Sequence, residues 1–247
     1  MKALIFAAGL GTRLKPITDS MPKALVPVAG RPMLEHVILH LKEQGFTDIV
    51  INIHYLGEQI IDFLKAHDNF GVNICISDER SEVLETGGGI LKAADLLDDG
   101  ESFLVHNSDI LTNIDLRQLY QQHIENEADA TLLVGHRDTS RYLIFDHTDS
   151  LCGWINKKTG DQKPEGFSYD PALHNAWAFG GIHVISPTLL RYMREDSWSG
   201  KFSIIPFYLS VCHKARLMAS PIQPDRYWFD IGKMETLQEA DQFLKSL

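Results

Sequence analysis

Glycines and basic side chains are concentrated in the first 27 residues of the chain. Gly9 and Gly11 follow the apolar run Ala3–Ala8, and Arg13 and Lys23 lie in the loop behind them. Because glycine has no side chain, its backbone amide can approach a phosphate closely, and a neighbouring Arg or Lys supplies positive charge. The spacing therefore predicts a site for a nucleoside triphosphate at the end of a buried strand.

The charge of the chain is unevenly distributed. Residues 1–42 contain six Lys or Arg and two acidic residues, a net charge of +4, whereas the whole chain carries −10. A locally basic segment in an acidic protein suits a small polyanion rather than a nucleic acid, which needs a broad basic face. We therefore expect no nucleic-acid partner. A structural turn with solvated lysines is the alternative.

Two common phosphate-binding motifs do not fit. The chain has no Gly-x4-Gly-Lys-Ser/Thr string, and Leu14 stands where the dinucleotide-binding fingerprint needs its third glycine. Pro16, Pro22 and Pro27 disfavour an early helix, so we expect the loop to be extended. A dinucleotide-dependent oxidoreductase therefore remains the weaker alternative for this loop.

Two aspartates lie among apolar neighbours. Asp109 comes soon after the apolar run Phe103–Val105, and Asp230 lies inside the segment Trp228–Gly232. A buried carboxylate is costly unless it is paired or bound to a cation. The residues alone leave two interpretations open, which are metal ligation by both, or a helix cap at Asp109 and a buried salt bridge at Asp230.

Apolar segments alternate with amphipathic ones in the first half of the chain. The predicted strands are Ala3–Ala8, Ile49–Ile53, Val72–Ile76 and Phe103–His106, and the predicted helices are Pro32–Lys42, Glu58–Ala66 and a segment from Gly88 to just before Asp98. This order predicts an α/β fold with a mostly parallel sheet and helices on both faces. Ligands of such sheets bind beyond the carboxyl ends of the strands. The Gly9 loop and Asn107–Asp109 should therefore open onto one crevice.

The pattern changes from about residue 130. Short strand-like segments joined by polar turns predict a smaller, antiparallel lobe, at Thr131–Val134, Tyr142–Phe145 and Leu151–Ile155. A longer strand at Ala176–Val184, helices from Ser186 and over Phe202–Leu209, a strand at Tyr227–Gly232 and a last helix from Lys233 complete the prediction.

The rest of the composition limits the compartment. The three cysteines, Cys75, Cys152 and Cys212, lack metal-ligand spacing and are expected to be reduced core residues of a cytoplasmic protein. No apolar segment approaches the length of a membrane span, and the first eight residues are too short for a signal peptide. We therefore expect no membrane association.

The opening segment resembles the signature of sugar-1-phosphate nucleotidyltransferases, in the pattern Gly9-x-Gly11-Thr12-Arg13-Leu14-x-Pro16-x-Thr18-x3-Pro22-Lys23-x-Leu25-Val26-Pro27. The resemblance implies a Rossmann-like, GT-A-like fold and an enzyme that joins a nucleoside triphosphate to a sugar 1-phosphate, releasing pyrophosphate. It implies one domain over residues 1–247, with a nucleotide-binding half at 1–129 and a sugar-binding half at 130–247.

The resemblance also implies roles for individual residues. Asp109 matches the family's Asn-Gly-Asp motif, with Ser108 in place of the glycine, and Asp230 matches its Trp-x-Asp-x-Gly motif. Both are implied to bind Mg²⁺, and Arg13, Lys23 and Asp109 are implied to be catalytic. The implied nucleotide-binding residues are Ala8, Gly9, Gly11, Thr12, Arg13, Lys23, Gly87, Gly88 and Asn107, and the implied sugar-phosphate-binding residues are Asn175, Gly181 and Lys201.

The glycine cluster Glu85–Gly89 and the segment Phe179–Ile182 resemble the short bacterial members of this family. That subgroup includes N-acetylmuramate-1-phosphate uridylyltransferases and mannose- or heptose-1-phosphate guanylyltransferases. We expect UTP and N-acetylmuramate 1-phosphate as substrates, with GTP and mannose 1-phosphate as the alternative. A non-catalytic homologue that senses nucleotide-sugars is the alternative from another class.

Overall fold

Apolar runs form the strands of one large sheet in the computed structural model, which describes residues 1–247. The strands are β1 (Lys2–Phe6), β2 (Pro27–Val28), β3 (Arg31–Pro32), β4 (Asp48–Ile53), β5 (Asn73–Asp78), β6 (Phe103–Asn107), β7 (Ile110–Thr112), β8 (Ala130–Gly135), β9 (Arg141–Phe145), β10 (Leu151–Asn156), β11 (Gln162–Lys163), β12 (Asn175–Ile185), β13 (Leu217–Pro221) and β14 (Trp228–Asp230). The helices are α1 (Met33–Glu43), α2 (Gly57–Ala66), α3 (Glu85–Lys92), α4 (Ala94–Leu97), α5 (Leu116–Glu125), α6 (Pro187–Glu195), α7 (Ile204–Val211) and α8 (Met234–Ser246).

The main path of this sheet runs β11-β10-β9-β12-β6-β1-β4-β5, and β8 and β13 extend it beside β12. Strands β6, β1, β4 and β5 are parallel. Their nearly continuous apolar sequences are typical of strands covered on both faces. The predicted α/β fold, with a mostly parallel central sheet and flanking helices, is confirmed.

Both faces of the sheet are covered by helices. Successive side chains of a strand point to opposite faces. Ala3 and Ile5 of β1 belong to a core with α1, α2, α5 and α8, whereas Leu4 belongs to a core with α3, α4, α6 and α7. Helices that pack on the two faces of the sheet therefore connect each parallel strand to the next one along the chain.

Strand β12 joins the two halves of the chain. It runs antiparallel to β6 over Ile182–Ile185 and antiparallel to β9 over Asn175–Trp177. The predicted antiparallel lobe, formed by β9, β10 and β11, is therefore a continuation of the central sheet. Strand β13 and helix α5 were not anticipated from the sequence.

The loop after β1 differs from the extended segment that its prolines predicted. It folds into three short 3-10 turns, at Thr12–Leu14, Ile17–Asp19 and Lys23–Leu25. Proline excludes an α-helix here because it lacks an amide hydrogen, but a 3-10 turn needs few amide donors. The loop is consequently compact, and it returns the chain to the strand ends at Lys23.

Two local predictions also need correction. The helix expected from Gly88 begins at Glu85 and is interrupted at Ala93, where α3 gives way to α4. Cys75 is exposed on the edge strand β5 and Cys152 and Cys212 are half-buried, so none of the three is the buried core residue that was expected. No helix combines the length and the apolar character needed to span a membrane.

Candidate active site

Two cavities open at the carboxyl ends of β1 and β6, and both have Asn107 and Asp109 in their walls. The strand-end cavity, of about 210 Å³, lies between the Gly9 loop and the start of α3. The lobe cavity, of about 430 Å³, lies between Asp109 and the antiparallel strands β9, β10 and β12. The crevice expected at these strand ends is therefore present, and it has two compartments.

A buried polar network fixes the chain where it leaves β1. The side-chain oxygen of Asn52 accepts hydrogen bonds from the amides of Ala7 (2.7 Å) and Ala8 (3.2 Å), and its nitrogen donates to Glu79 Oε1 at 2.7 Å. Asn52 and Glu79 are almost completely buried. Buried polar groups need such partners, so this network determines the direction in which the Gly9 loop starts.

Gly11 shapes the loop from inside. Its φ is +63°, and a Cβ atom there would lie 2.8 Å from Thr18 Cγ2 and 2.9 Å from Lys23 Cβ. Its carbonyl accepts a hydrogen bond of 2.9 Å from the Thr18 hydroxyl. Only glycine permits this close approach, so Gly11 positions Lys23.

The backbone segments that carry the two aspartates meet, although they are far apart in the sequence. Strand β14 pairs with β7, and the amide of Ile231 donates to the carbonyl of Asp109 at 2.8 Å. Lys23 forms an ion pair with the Asp109 carboxylate. Arg137 Nη1 donates to Asp230 Oδ2 at 2.8 Å. Each carboxylate is partly buried and has a cation against it.

Arg13 occupies space that Gly232 leaves free. A Cβ atom on Gly232 would lie 2.7 Å from Arg13 Nη2 and 3.1 Å from Asp230 Oδ1. Arg13 lines the lobe cavity. Its guanidinium group has no carboxylate partner among the ion pairs of the protein, so it is available to an anionic ligand.

The paired aspartates suit a hard divalent cation. Mg²⁺ is commonly held by one or two carboxylates together with substrate phosphates and water. Asp109 and Asp230 both line the lobe cavity and supply this donor set. No cluster of three or more His, Cys, Asp or Glu side chains is arranged for metal binding. The donor set thus fits a cation whose remaining ligands come from the substrate and from water.

A neutral histidine lies beneath this site. His106, the residue before Asn107, is buried, and its Nδ1 lies 2.9 Å from the Asn107 carbonyl oxygen. Burial lowers the pKa of His106 to about 3, because the charged imidazolium would lose its hydration. The positive charge of the site at neutral pH therefore comes from Lys and Arg.

The second glycine cluster is used for packing. The amides of Gly87 and Gly88 both donate to the carbonyl of Phe202, at 2.9 and 3.1 Å. A Cβ atom on Gly88 would lie only 2.2 Å from the Gly200 carbonyl oxygen. Neither glycine lines the strand-end cavity, where Glu85 and Thr86 do. These amides could contact a nucleotide only if the Phe202 carbonyl moved away.

The structure brings together most of the residues singled out from the sequence. Those that line one or both cavities are Ala8, Gly9, Lys23, Asn107, Asp109, Arg13, Gly181 and Asp230. Those outside both walls are Gly11, Thr12, Gly87, Gly88, Asn175 and Lys201. Asn175 is exposed at the far end of β12, and Lys201 lies 3.8 Å from Glu85, at the edge of the strand-end cavity.

Several wall residues were not anticipated. Asn52 and Glu79 are polar residues at the carboxyl ends of apolar strands, so the rule that found Asp109 could have found them. Arg137, Arg141 and Trp154 of the lobe cavity carry no such signal. Their position depends on how the antiparallel strands pair.

The chain is similar over most of its length to proteins of one family. The profile of the nucleotidyl transferase family matches residues 2–246, nearly the whole chain. The chain is 36% identical over 207 residues to the N-acetylmuramate alpha-1-phosphate uridylyltransferase of Neisseria meningitidis serogroup B, which covers 81% of this chain and 89% of that protein. It is 30% identical to a protein of the same name from Caulobacter vibrioides, covering 97% of this chain and 95% of the relative.

Relatives with another named activity are nearly as similar. The chain is 34% identical to the probable mannose-1-phosphate guanylyltransferase 2 of Oryza sativa subsp. japonica, covering 94% of this chain but only 62% of the rice protein. Among solved structures, HddC from Yersinia pseudotuberculosis in complex with GMP-PN has a TM-score of 0.75 at 24% identity, covering 98% of this chain and 99% of HddC. At that identity the likeness concerns the fold. The family profile and the curated relatives go further, and this chain is an enzyme of the sugar-1-phosphate nucleotidyltransferase family.

Proposed function

We propose that this enzyme transfers a uridylyl group from UTP to N-acetylmuramate 1-phosphate in a Mg²⁺-dependent reaction, giving UDP-N-acetylmuramate and pyrophosphate. The observation that carries the proposal is that Asp109, with Lys23 against it, lines both cavities, and that Asp230 and Arg13 line the lobe cavity beside it. A triphosphate in one compartment and a sugar phosphate in the other would meet at that point. A cytoplasmic location remains a prediction.

The chemistry needs charge neutralisation more than proton transfer. A sugar 1-phosphate is already largely dianionic at neutral pH, because its second pKa is about 6. Its oxygen forms a bond to the α-phosphorus as the bond to pyrophosphate breaks, so no protein nucleophile is required. Lys23 and Arg13 would offset the repulsion between these anions and hold the reacting atoms in line.

The carboxylates have a supporting role in this scheme. A divalent cation on Asp109 and Asp230, as members of this family generally use, would stabilise negative charge on the phosphate oxygens. Lys23 and Arg137, which pair with the two acids in the protein alone, could then turn to phosphate oxygens.

The remaining contacts divide between the compartments. Ala8, Gly9 and Asn107 line the strand-end cavity and would hold the nucleotide, whereas Gly181 lines the lobe cavity and would contact the sugar phosphate. Gly11, Thr12, Gly87, Gly88, Asn175 and Lys201 lie outside both walls, and their ligand-binding roles are proposed on the family motifs alone.

One observation favours the guanylyltransferase alternative. The buried carboxylate of Glu79 lines the strand-end cavity. Guanine presents two neighbouring N–H donors, whereas uracil presents one N–H between two carbonyl groups, so a carboxylate suits guanine better. Against this, both Glu79 oxygens already accept hydrogen bonds, one from Asn52 and one from the Leu84 amide.

A screen of pyrophosphate release tests the proposal. The four nucleoside triphosphates are each combined with N-acetylmuramate, N-acetylglucosamine, mannose and heptose 1-phosphates, with and without Mg²⁺. We expect the highest kcat/KM with UTP and N-acetylmuramate 1-phosphate. Preference for GTP and mannose 1-phosphate would select the alternative substrates, and release with no pair would favour the non-catalytic nucleotide-sugar-sensing homologue.

A further inference from the structure

The lobe cavity contains a cation that the proposed reaction does not use. Three guanidinium groups line this cavity, from Arg13, Arg137 and Arg141. Arg137 is paired with Asp230, and Arg13 lies beside the same carboxylate, next to the reacting phosphates. Arg141 forms no ion pair and has no assigned partner.

The pairing of β9 with β12 places Arg141 at the end of β9 that lies nearer to Gly181, in the wall of the lobe cavity. Arg141 is the first residue of β9, and Leu143, two residues later, lies on the same face of the sheet. Leu143 pairs with Trp154 of β10, and both line the cavity. The lobe therefore supplies a wall with an apolar and aromatic surface, ending in a guanidinium group.

A second positive charge lies on the same lobe. Lys163 of β11 pairs with Trp154, and its Nζ lies 5.8 Å from the centroid of the Trp154 ring. Trp154 therefore lies between Lys163 on β11 and Leu143 on β9, two residues from Arg141. The lobe wall carries no carboxylate of its own among the cavity residues, whereas Asp109 and Asp230 balance the cations at the phosphate end.

The chemistry of Arg141 selects a kind of substituent. Hydroxyl groups of a neutral sugar do not require an unpaired cation, whereas a planar guanidinium group matches a carboxylate with two parallel hydrogen bonds. We propose that Arg141 binds a carboxylate on the sugar, so that the acceptor is an acidic hexose 1-phosphate. The proposal rests on the proposed function and assigns the specificity of its sugar site to this residue.

A matched pair of acceptors tests the assignment. N-acetylmuramate differs from N-acetylglucosamine only in a lactyl ether that carries a carboxylate, so their 1-phosphates isolate that group. We expect the native enzyme to prefer the acidic acceptor. Arg141→Gln should lower kcat/KM about 10- to 100-fold more for the acidic than for the neutral acceptor, mainly through KM.

Two further variants separate charge from structure. Arg141→Lys keeps the charge without the two-pronged geometry and should retain part of the preference. Arg191→Gln removes an exposed arginine on α6, remote from both cavities, and should leave both acceptors unaffected. Equal losses for the two acceptors in Arg141→Gln, or no preference in the native enzyme, would overturn the assignment.

Direct binding distinguishes failure of this inference from failure of the proposed function. Calorimetry measures the affinity of each 1-phosphate for the full chain with Mg²⁺ and a non-hydrolysable UTP or GTP analogue, without requiring turnover. Stronger binding of the acidic sugar that Arg141→Gln abolishes would support the assignment even if no pyrophosphate were released. Binding of both sugars with equal affinity would refute it while leaving transfer to neutral sugars intact.

Discussion

The two halves of the chain place their functional residues in different ways. In the N-terminal half, Gly9 lies just beyond the end of β1, and Asn107 is the last residue of the adjacent parallel strand β6. In the C-terminal half, Arg141 and Trp154 come from the antiparallel pair β9 and β10, and Asp230 comes from β14, which pairs antiparallel with β7. Site residues at parallel strand ends are therefore visible in sequence, whereas those on an antiparallel surface depend on register.

The largest expected effect concerns the junction between the halves. Lys23→Ala and Asp109→Ala should each lower kcat/KM, by raising the activation free energy about 3–4 kcal/mol, because each removes a fixed charge at the reacting phosphates. Steady-state pyrophosphate release measures this loss. Lys15→Ala, in the same loop but paired with the exposed Asp19, is the control and should behave as the native enzyme. Near-native turnover in Lys23→Ala would contradict the proposed mechanism.

The same difference explains what sequence alone predicted. Four parallel strands and the alternation of helices with them were predictable because their apolar runs are bounded by turn residues. The meeting of Asp109 with Asp230 was predictable only through family motifs, since nothing in residue spacing indicates that β14 pairs with β7. The occupation of the Gly87 amide by the Phe202 carbonyl could not be predicted, because it depends on a distant loop.

The two glycine clusters provide the next comparison. Gly88→Ala should lower the free energy of unfolding by about 1–3 kcal/mol, because its Cβ would lie 2.2 Å from a carbonyl oxygen. Gly9→Ala should leave stability within about 0.5 kcal/mol, since nothing lies within 4 Å of its Cβ position. Because Gly9 lines the strand-end cavity, it should instead weaken nucleotide binding. Urea denaturation and nucleotide titration measure the two effects, and equal stabilities would contradict this division.

Buried histidines in both halves should make the protein sensitive to acid. Burial lowers the pKa of His106 and His183 to about 3 and that of His123 to about 4, whereas the unfolded chain titrates near 6.5. The unfolded state therefore binds more protons below pH 6.5. The free energy of unfolding should therefore decrease as pH falls from 6.5 towards 4, and each histidine should contribute about 1.4 kcal/mol per pH unit to that decrease.

The variant His123→Gln measures how much of this pH dependence comes from one histidine. His123 contacts the hydroxyl groups of Thr131 and Ser102, each at 3.1 Å. His123→Gln retains hydrogen-bonding capacity but cannot titrate, so its unfolding free energy should depend less steeply on pH between 6 and 4.5, by the amount of one histidine. Urea denaturation at several pH values measures the slopes. An unchanged slope would show that His123 is already protonated, or exposed, in the folded protein.

The smallest expected effect concerns how the C-terminal half holds Asp230. The indole N–H of Trp228 donates to the Gly180 carbonyl at 2.8 Å, tying β14 to β12, while Arg137 lies 5.2 Å from the centroid of its ring. Trp228→Phe keeps an aromatic ring but removes the hydrogen bond, and should cost about 1 kcal/mol of stability.

The accompanying shift of β14 should raise KM for the sugar 1-phosphate a few-fold with little change in KM for the nucleotide, because Trp228 lines the lobe cavity and not the strand-end cavity. Trp198→Phe is the matched control, since that indole packs on Phe202 and Phe207, outside both cavities. If Trp228→Phe raised both KM values equally, β14 would support the two compartments together, and the division between the halves would not extend to Asp230.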